Sequence, residues 1–127
     1  MILAIKTDAP DATVAVMDRS GRVAAERTWT AGRELSAQLL TVIAQVLQEA
    51  QVSQSDLTRV AVYEGPGSYT GLRIGISVAN AMAFSHDIPV VGVTGNDWLQ
   101  QATQNQADSG YVAPVYGGEA NITLPRK

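Results

Sequence analysis

The stretch 64-EGPGSYTGLRIGISVANAMAF-84 joins a Gly-rich turn directly to a helical pattern with almost no charge. Such a junction has two readings. Backbone N–H groups at the helix start can hold an anion, or an apolar helix can be waiting for a partner. The glycines fall at 65, 67, 71 and 75. A Walker A loop would close on Gly-Lys-Ser/Thr, but here Thr70 and Gly71 lead into Leu72 and Arg73. The dinucleotide fingerprint would need its third glycine where Thr70 stands. Both named phosphate motifs fail. A generic anion or nucleotide contact at Gly67, Ser68, Thr70 and Arg73 stays as a candidate, because hydroxyls and free N–H groups gather at a helix start. Arg73, in the first turn, opposes the helix dipole and calls for a carboxylate or an anion beside it. The plainer reading makes Gly65-Pro66-Gly67 a sharp strand-to-helix turn, with Thr70 as the cap and Arg73 paired within the chain.

The spacing downstream favours close packing. Gly71, Gly75, Ala79 and Ala83 recur every four residues and form a ridge of small side chains. Such a ridge lets another backbone approach closer than the usual axis separation of about 8–10 Å. Glycine within a helix costs up to about 1 kcal/mol against alanine, so Gly75 needs a packing reason. That reason is the chain's own sheet, its first helix, or something outside. Leu72, Ile76 and Met82 flank the ridge, Ile74 and Val78 lie on a further side, and Arg73, Ser77 and Asn80 form only a narrow polar stripe. One sheet face cannot cover a helix that is apolar nearly all round, so a second partner, inside or outside the chain, is expected. The helix at 33–50 repeats the excess. There Leu35, Leu39, Leu40, Val42, Ile43, Val46 and Leu47 span roughly 160°, where a surface helix needs about 100°.

Around these helices the chain reads as α/β. "MILAIKT" is a strand-length apolar run, "ATVAVMD" follows the turn-prone "DAPD", and "DRSG" turns into "RVAAERTW". Three strands joined by short turns predict an antiparallel meander. Ser53–Asp56 has capping-box spacing, "RVAVY" (59–63) and "IPVVGVT" (88–94) are buried-strand patterns, and "NDWLQQAT" begins a third helix. Three antiparallel strands followed by helix, strand, helix, strand, helix is the order of a ribonuclease H-like domain, shared by actin-like (ASKHA) ATPases; that order alone says nothing of activity. The domain is expected over residues 1–101. The Gln-rich stretch "QQATQNQADSG" reads as a linker or fraying helix end, and 102–127 as polar linker and docked C-terminal tail.

Composition narrows the chemistry. The 127 residues carry a net charge of −3, with 9 Lys and Arg scattered rather than striped, so direct nucleic-acid binding is not expected. There is no cysteine, hence no disulfide, thiol nucleophile or cysteine metal site. The single histidine, His86, falls at the end of the second helix, where it suits helix carbonyls better than a metal. No G-x-S-x-G elbow is present. Asp8 and Glu64 fall at strand ends, where actin-like folds hold Mg²⁺ and nucleotide, although surface turn residues are the commoner outcome. No basic segment precedes the first apolar run. The stretch Ile74 to Phe84 is about half the ~20 residues that span a bilayer. A cytoplasmic protein without membrane contact, and without catalytic or metal-binding residues, is expected.

With the motif in place, "GPGSYTGLRIGISVA" (65–79) resembles the signature of the TsaB (YeaZ) family nearly residue for residue. "MILAIKTD", "RELSAQLLTVIAQVLQEA" and "IPVVGVT" resemble that family's first strand, first long helix and later strand, in the right order over about residues 1–99. The family, in the Gcp/Kae1-like group, is the non-catalytic, dimerising subunit of the bacterial machinery that makes threonylcarbamoyladenosine (t6A) at tRNA position 37. Two departures stand out. The usual Asp-Thr-Ser after the first strand is Lys6-Thr7-Asp8, a lysine where a metal–nucleotide site wants an acid, and the usual His-Ser of the first helix is Leu35-Ser36. Relatives also carry a second domain of similar fold that this sequence lacks, while "APVYGGEANITLPRK" resembles their extreme C-terminus, as in a short form. The resemblance implies pairing with the TsaD transferase, or with a second copy, through helices 33–50 and 71–85. The implied interface is Leu35, Leu39, Leu40, Ile43, Val46, Leu47, Gly71, Leu72, Gly75, Ile76, Ala79, Met82 and Ala83. ATP and metal are expected on the partner, and a TsaE-like ATPase is a further implied partner. Two other readings stand beside this: a small ASKHA-type nucleotide enzyme using the 65–71 loop and Asp8, and a partnerless homodimer. On the interface reading, Gly75→Leu abolishes pairing and leaves the monomer folded; unfolding instead would mean that the ridge faces the domain's own core.

Overall fold

The computed structural model describes residues 1–105 and 111–113. One sheet is built from β1 (Ile2–Lys6), β2 (Asp11–Met17), β3 (Val23–Thr30), β4 (Arg59–Tyr63) and β5 (Val90–Val93). Its order is β3-β2-β1-β4-β5. The β1–β2 and β2–β3 pairs are antiparallel, whereas β1–β4 and β4–β5 are parallel. Sequence explains the division. The first three strands are joined by short polar turns, and antiparallel neighbours need no more. In the second of these turns the Asp18 carboxylate accepts from the N–H groups of Ser20 (2.9 Å) and Arg22 (3.0 Å). These bonds and the Ser20 hydroxyl, the largest influence, hold the Asp18 carboxyl below its ordinary range. The parallel strands need helical crossovers, and the long apolar patterns between them supply two. Central β1 and β4 are buried on both faces, as their uninterrupted apolar runs require.

The helices are α1 (Leu35–Ala50), entered through a 3₁₀ turn at Gly32–Glu34, α2 (Tyr69–His86) and α3 (Trp98–Gln104). Both long helices end in a left-handed residue, Gln51 and Asp87. Each stop has paired reverse bonds: Val52 N–H to Leu47 O (3.0 Å) after α1, and Ile88 N–H to Ala83 O (3.0 Å) after α2. Ser53 and Asp56 form the expected capping box of a short 3₁₀ turn. Strand alternation then assigns the layers. Arg27 reaches Gln45 and Glu49 of α1, and Thr7 meets α2, so these two helices share one sheet face. On the other face Arg59 donates to the carbonyls of Ala102 (3.0 Å) and Asn105 (2.7 Å) at the end of α3. This is the three-layer α/β arrangement that the element order predicts.

The expected domain edge at 101 falls inside a helix. Gln101 donates to Thr94 O (2.6 Å) and accepts from Thr94 N–H (3.1 Å), which ties α3 to the end of β5. The start of the Gln-rich stretch is therefore a helix end rather than a linker. Beyond it, Val112 is buried and held by both ends of the Asn80 amide, at 2.8 and 2.9 Å. The rest of the expected linker and tail, including its strand candidate, lies outside the described residues.

Candidate functional site

The residues expected at a partner interface occupy a different place. Leu35, Leu39, Ile43, Val46, Leu47, Leu72, Ile76, Ala79, Met82 and Ala83 are all buried in the chain's own core, and Gly75 is buried with them. Gly71 is half-buried, and Leu40 alone of the set is exposed, at 60%. The ridge faces inward because of Thr7. This fully buried threonine, just past β1, donates its hydroxyl to Gly71 O at 2.7 Å. A Cβ at position 75 would lie 2.1 Å from Thr7 Oγ1, and one at 71 would lie 2.3 Å from Thr7 O. Small residues let α2 sit directly on the end of β1, so the close approach read from the sequence is internal. The expectation that Gly75→Leu spares the fold is corrected accordingly.

What remains outside is a second apolar surface. On α1 the polar flank is taken by β3: Trp29 Nε1 donates to Gln38 Oε1 at 3.0 Å, and Arg27 engages Gln45 and Glu49. Away from the core the helix exposes Ala37, Leu40 and Ala44 together with Thr41 and Gln48. On α2 the half-buried Ile74 and Val78 adjoin exposed Thr70, Ser77, Ala81 and Phe84, the last 88% exposed. Ser36 joins Thr70, Arg73, Ile74, Ser77 and Val78 around a shallow groove of about 390 Å³ between the two helices. The exposed aromatic at 84 and the alanines at 37, 44 and 81 were not singled out in the sequence. The signal that finds them is the set of apolar positions left once the most regular stripe is assigned to the sheet.

At the Gly-rich turn, Gly65 has φ +125°, which favours glycine. Gly67 lies against the next turn, where a Cβ would come within 2.5 Å of Asp8 Cβ. Ser68 N–H donates to Asp8 O at 2.8 Å. The helix starts at Tyr69, so Ser68 is the N-cap residue and Thr70 lies inside the first turn, which corrects the capping role expected for Thr70. Arg73 packs over the Tyr69 ring at 5.3 Å, with Nη1 3.4 Å from the tyrosine oxygen. Its internal contact is thus an aromatic ring. Ser68 and Thr70, with Arg33, line a second depression of about 340 Å³.

The strand ends hold a small charged cluster. Lys6 Nζ lies 2.6 Å from Asp8 Oδ1 and 4.7 Å from the centre of the Tyr63 ring. Asp8 is therefore neutralised by a side chain two residues away. Glu64 is half-buried against Gly92, where a Cβ would meet its Oε1 at 2.1 Å. Burial pushes the Glu64 carboxyl above its ordinary 4.5. Among the described residues no group of three or more His, Asp or Glu is placed to hold a metal ion. His86 Nδ1 lies 3.0 Å from Met82 O, at the carbonyl end of α2 where the sequence put it. No helix of the described residues is long and apolar enough to cross a membrane.

Comparison with known proteins places this geometry. The family model described as "TsaD: tRNA N6-adenosine threonylcarbamoyltransferase" matches residues 29–124. The chain is 31% identical to the tRNA threonylcarbamoyladenosine biosynthesis protein TsaB of Bacillus subtilis over 115 residues, covering 91% of this chain and 49% of the relative. It is 31% identical to the TsaB of Buchnera aphidicola subsp. Schizaphis graminum over 127 aligned residues, covering 94% of this chain and 60% of that protein. Among solved structures it is similar to YeaZ from Pseudomonas aeruginosa, with a TM-score of 0.68 and 32% identity over 73% of this chain and 43% of that one. The chain spans about half the length of the curated relatives it matches (49% and 60%).

Proposed function

Because the chain belongs to the family of TsaD, tRNA N6-adenosine threonylcarbamoyltransferase, we propose that it serves t6A synthesis at tRNA adenosine 37 as a non-catalytic scaffold subunit. Its partner on this reading is a TsaD-like transferase in the cytoplasm. Helices α1 and α2 carry the contact, through their outer face rather than through the buried residues first expected there. The observation that supports this most is the exposure of Leu40 and Phe84, at 60% and 88%, on neighbouring helices that also present Ala37, Ala44 and Ala81. Large exposed apolar side chains on one helix pair suit an interaction site. The groove between the helices gives a facing side chain somewhere to insert.

The non-catalytic part of the reading rests on Lys6. Its ammonium stands beside Asp8 at the end of β1, at the strand ends where an actin-like enzyme would bind its metal–nucleotide. ATP and metal are assigned to the transferase, with a TsaE-like ATPase as the further partner. Residues 1–101 plus the remainder of α3 act as the folded unit in this proposal, and the residues after it as linker and tail.

Co-purification of the chain with its host's TsaD-like protein, followed by a t6A assay with and without it, tests the proposal. Co-elution and chain-dependent modification are expected. Failure to co-elute counts against the pairing. Tight binding of ATP with Mg²⁺ by the isolated chain would favour a nucleotide enzyme instead.

A further inference from the structure

Among the described residues, the two edges of the sheet are guarded in different ways. β3, at one edge, carries Glu26 and Arg27 and is broken by an irregularity opposite Val16 and Met17. Charges and bulges are common defences of an exposed strand edge. β5, at the other edge, reads VVGV, three β-branched residues and no charge. Apart from its shortness, nothing in that sequence defends it. The ladder fixes which of its groups point outward, because alternate residues of a parallel strand bond to a given neighbour. Val60 N–H donates to Pro89 O (3.0 Å) and Glu64 N–H to Val93 O (2.9 Å). Residues 89, 91 and 93 therefore turn their backbone groups toward β4, and 90, 92 and 94 turn theirs to the edge.

Helix α3 fills much of that outward row with side-chain amides. Gln101 pairs with both groups of Thr94, accepting from its N–H at 3.1 Å and donating to its carbonyl at 2.6 Å. Asn105 Nδ2 donates to Gly92 O at 3.1 Å and lies 3.3 Å from Gln101 Oε1. Asp97 Oδ1 accepts from Gln101 Nε2 at 2.7 Å, which fixes the way the amide points. Residues 97, 101 and 105 stand four apart, from the N-cap to the C-cap of α3, so one polar stripe of the helix runs along the strand edge. The Gln-rich stretch that reads as a linker in the sequence supplies two of the three.

We propose that the Asp97–Gln101–Asn105 stripe is a seal: it occupies the hydrogen-bonding edge of β5 and keeps a second copy of this chain from adding its own β5 there. A second copy is the occupant because two identical edges pair about a two-fold axis, each presenting the same groups to the other. A β-branched, uncharged strand suits such pairing. Side-chain amides suit the sealing role. They offer the donor and acceptor of a peptide group and then end, so the row is filled without creating a new edge.

The test is sedimentation of the full chain carrying Gln101→Ala and Asn105→Ala, over a range of concentrations beside wild type. Self-association is expected to tighten about tenfold or more, the equivalent of one net hydrogen bond. The outward Gly92 amide is expected to gain protection from hydrogen exchange as the copies associate. Gln101→Lys with Asn105→Ala removes the same amides but leaves a charge at the edge, and is expected to sediment as wild type does. If circular dichroism shows the double alanine variant unfolded, Asn105→Ala alone, which frees Gly92 O, is read in the same way. Unchanged sedimentation of a folded alanine variant overturns the proposal, since no copy then enters the opened edge. Association without protection at Gly92, or equal association of the lysine variant, overturns it as well, because the contact then lies elsewhere.

Discussion

Replacing Gly75 by alanine adds a single methyl group at the point where α2 meets the end of β1. On propensity alone the change should stabilise the helix by up to about 1 kcal/mol. The local geometry opposes it. The new Cβ would stand 2.1 Å from Thr7 Oγ1 and 3.2 Å from Thr7 Cβ and Cγ2. Thr7 is fully buried and its hydroxyl is already committed to Gly71 O, so it cannot swing aside freely. Overpacking of this kind costs about 1–3 kcal/mol, and loss of the Thr7–Gly71 bond adds about 1 kcal/mol. Set against the propensity gain, the net is a destabilisation of about 1–3 kcal/mol. At about 4 °C per kcal/mol for a domain of this size, the melting temperature should fall by roughly 4–12 °C.

The assay is a denaturant titration of four proteins: wild type, Gly75→Ala, Thr7→Ser and the double variant. Thr7→Ser keeps the hydroxyl but removes Cγ2, one of the three atoms in the way. The double variant should therefore be more stable than the sum of the single effects implies, by about 0.5 kcal/mol or more, as contacting residues couple. A Gly75→Ala protein more stable than wild type, with no coupling to position 7, would refute the internal role of the ridge. Gly75→Leu, with still more bulk at the same point, is expected to prevent folding.

Phe84→Asp and Leu40→Asp should each remove association with the TsaD-like protein in a pull-down, while unfolding free energies stay within about 0.5 kcal/mol of wild type, as for surface positions generally. Glu64 sets a pH dependence. Its folded carboxyl is raised above 4.5 by burial, so the folded state keeps a proton that the unfolded state has lost, and stability falls as pH rises from about 4.5 through the raised value. Glu64→Gln should therefore melt higher than wild type near pH 7 and lose that advantage toward about pH 4; a difference constant across the range would contradict the burial effect. Asn80→Ala removes both bonds to the Val112 backbone and should speed hydrogen exchange at the Val112 amide, at a cost of about 1–2 kcal/mol.

The sheet was legible because its strands are of two kinds. β1 and β4 lie inside the sheet, apolar apart from Lys6 and Arg59 at their ends, and the short polar turns around β2 leave the chain no means of making a parallel crossover there. Both long helices were legible from their period, and His86 from its place at a helix end. The direction of the α2 ridge was not legible. Periodicity gives the angle of each residue about the axis, and no sequence angle says which side meets the sheet. That depended on Thr7, a polar residue between Lys6 and Asp8 that is buried beneath Gly71 and Gly75 of α2.

The misplacement has a general physical cause. The sheet makes the strictest packing demand on a helix, so the most regular small-residue stripe belongs to the sheet. A partner helix meets what is left. On α2 the buried residues from Met82 round to Ile76 occupy about 120° of the wheel, the width a core-facing stripe needs. Ile74, Val78, Ala81 and Phe84 fall outside that arc and are apolar nonetheless. On α1 the same subtraction leaves Ala37, Leu40 and Ala44 exposed beside Thr41 and Gln48, because Gln38, Gln45 and Glu49 are engaged by β3. The groove between the helices is lined by Ser36 of α1 and by Thr70, Arg73, Ile74, Ser77 and Val78 of α2. An apolar remainder on one helix is ordinary surface variation. Two on neighbouring helices make a larger exposed apolar surface than either helix alone, and that is where the proposed partner would dock.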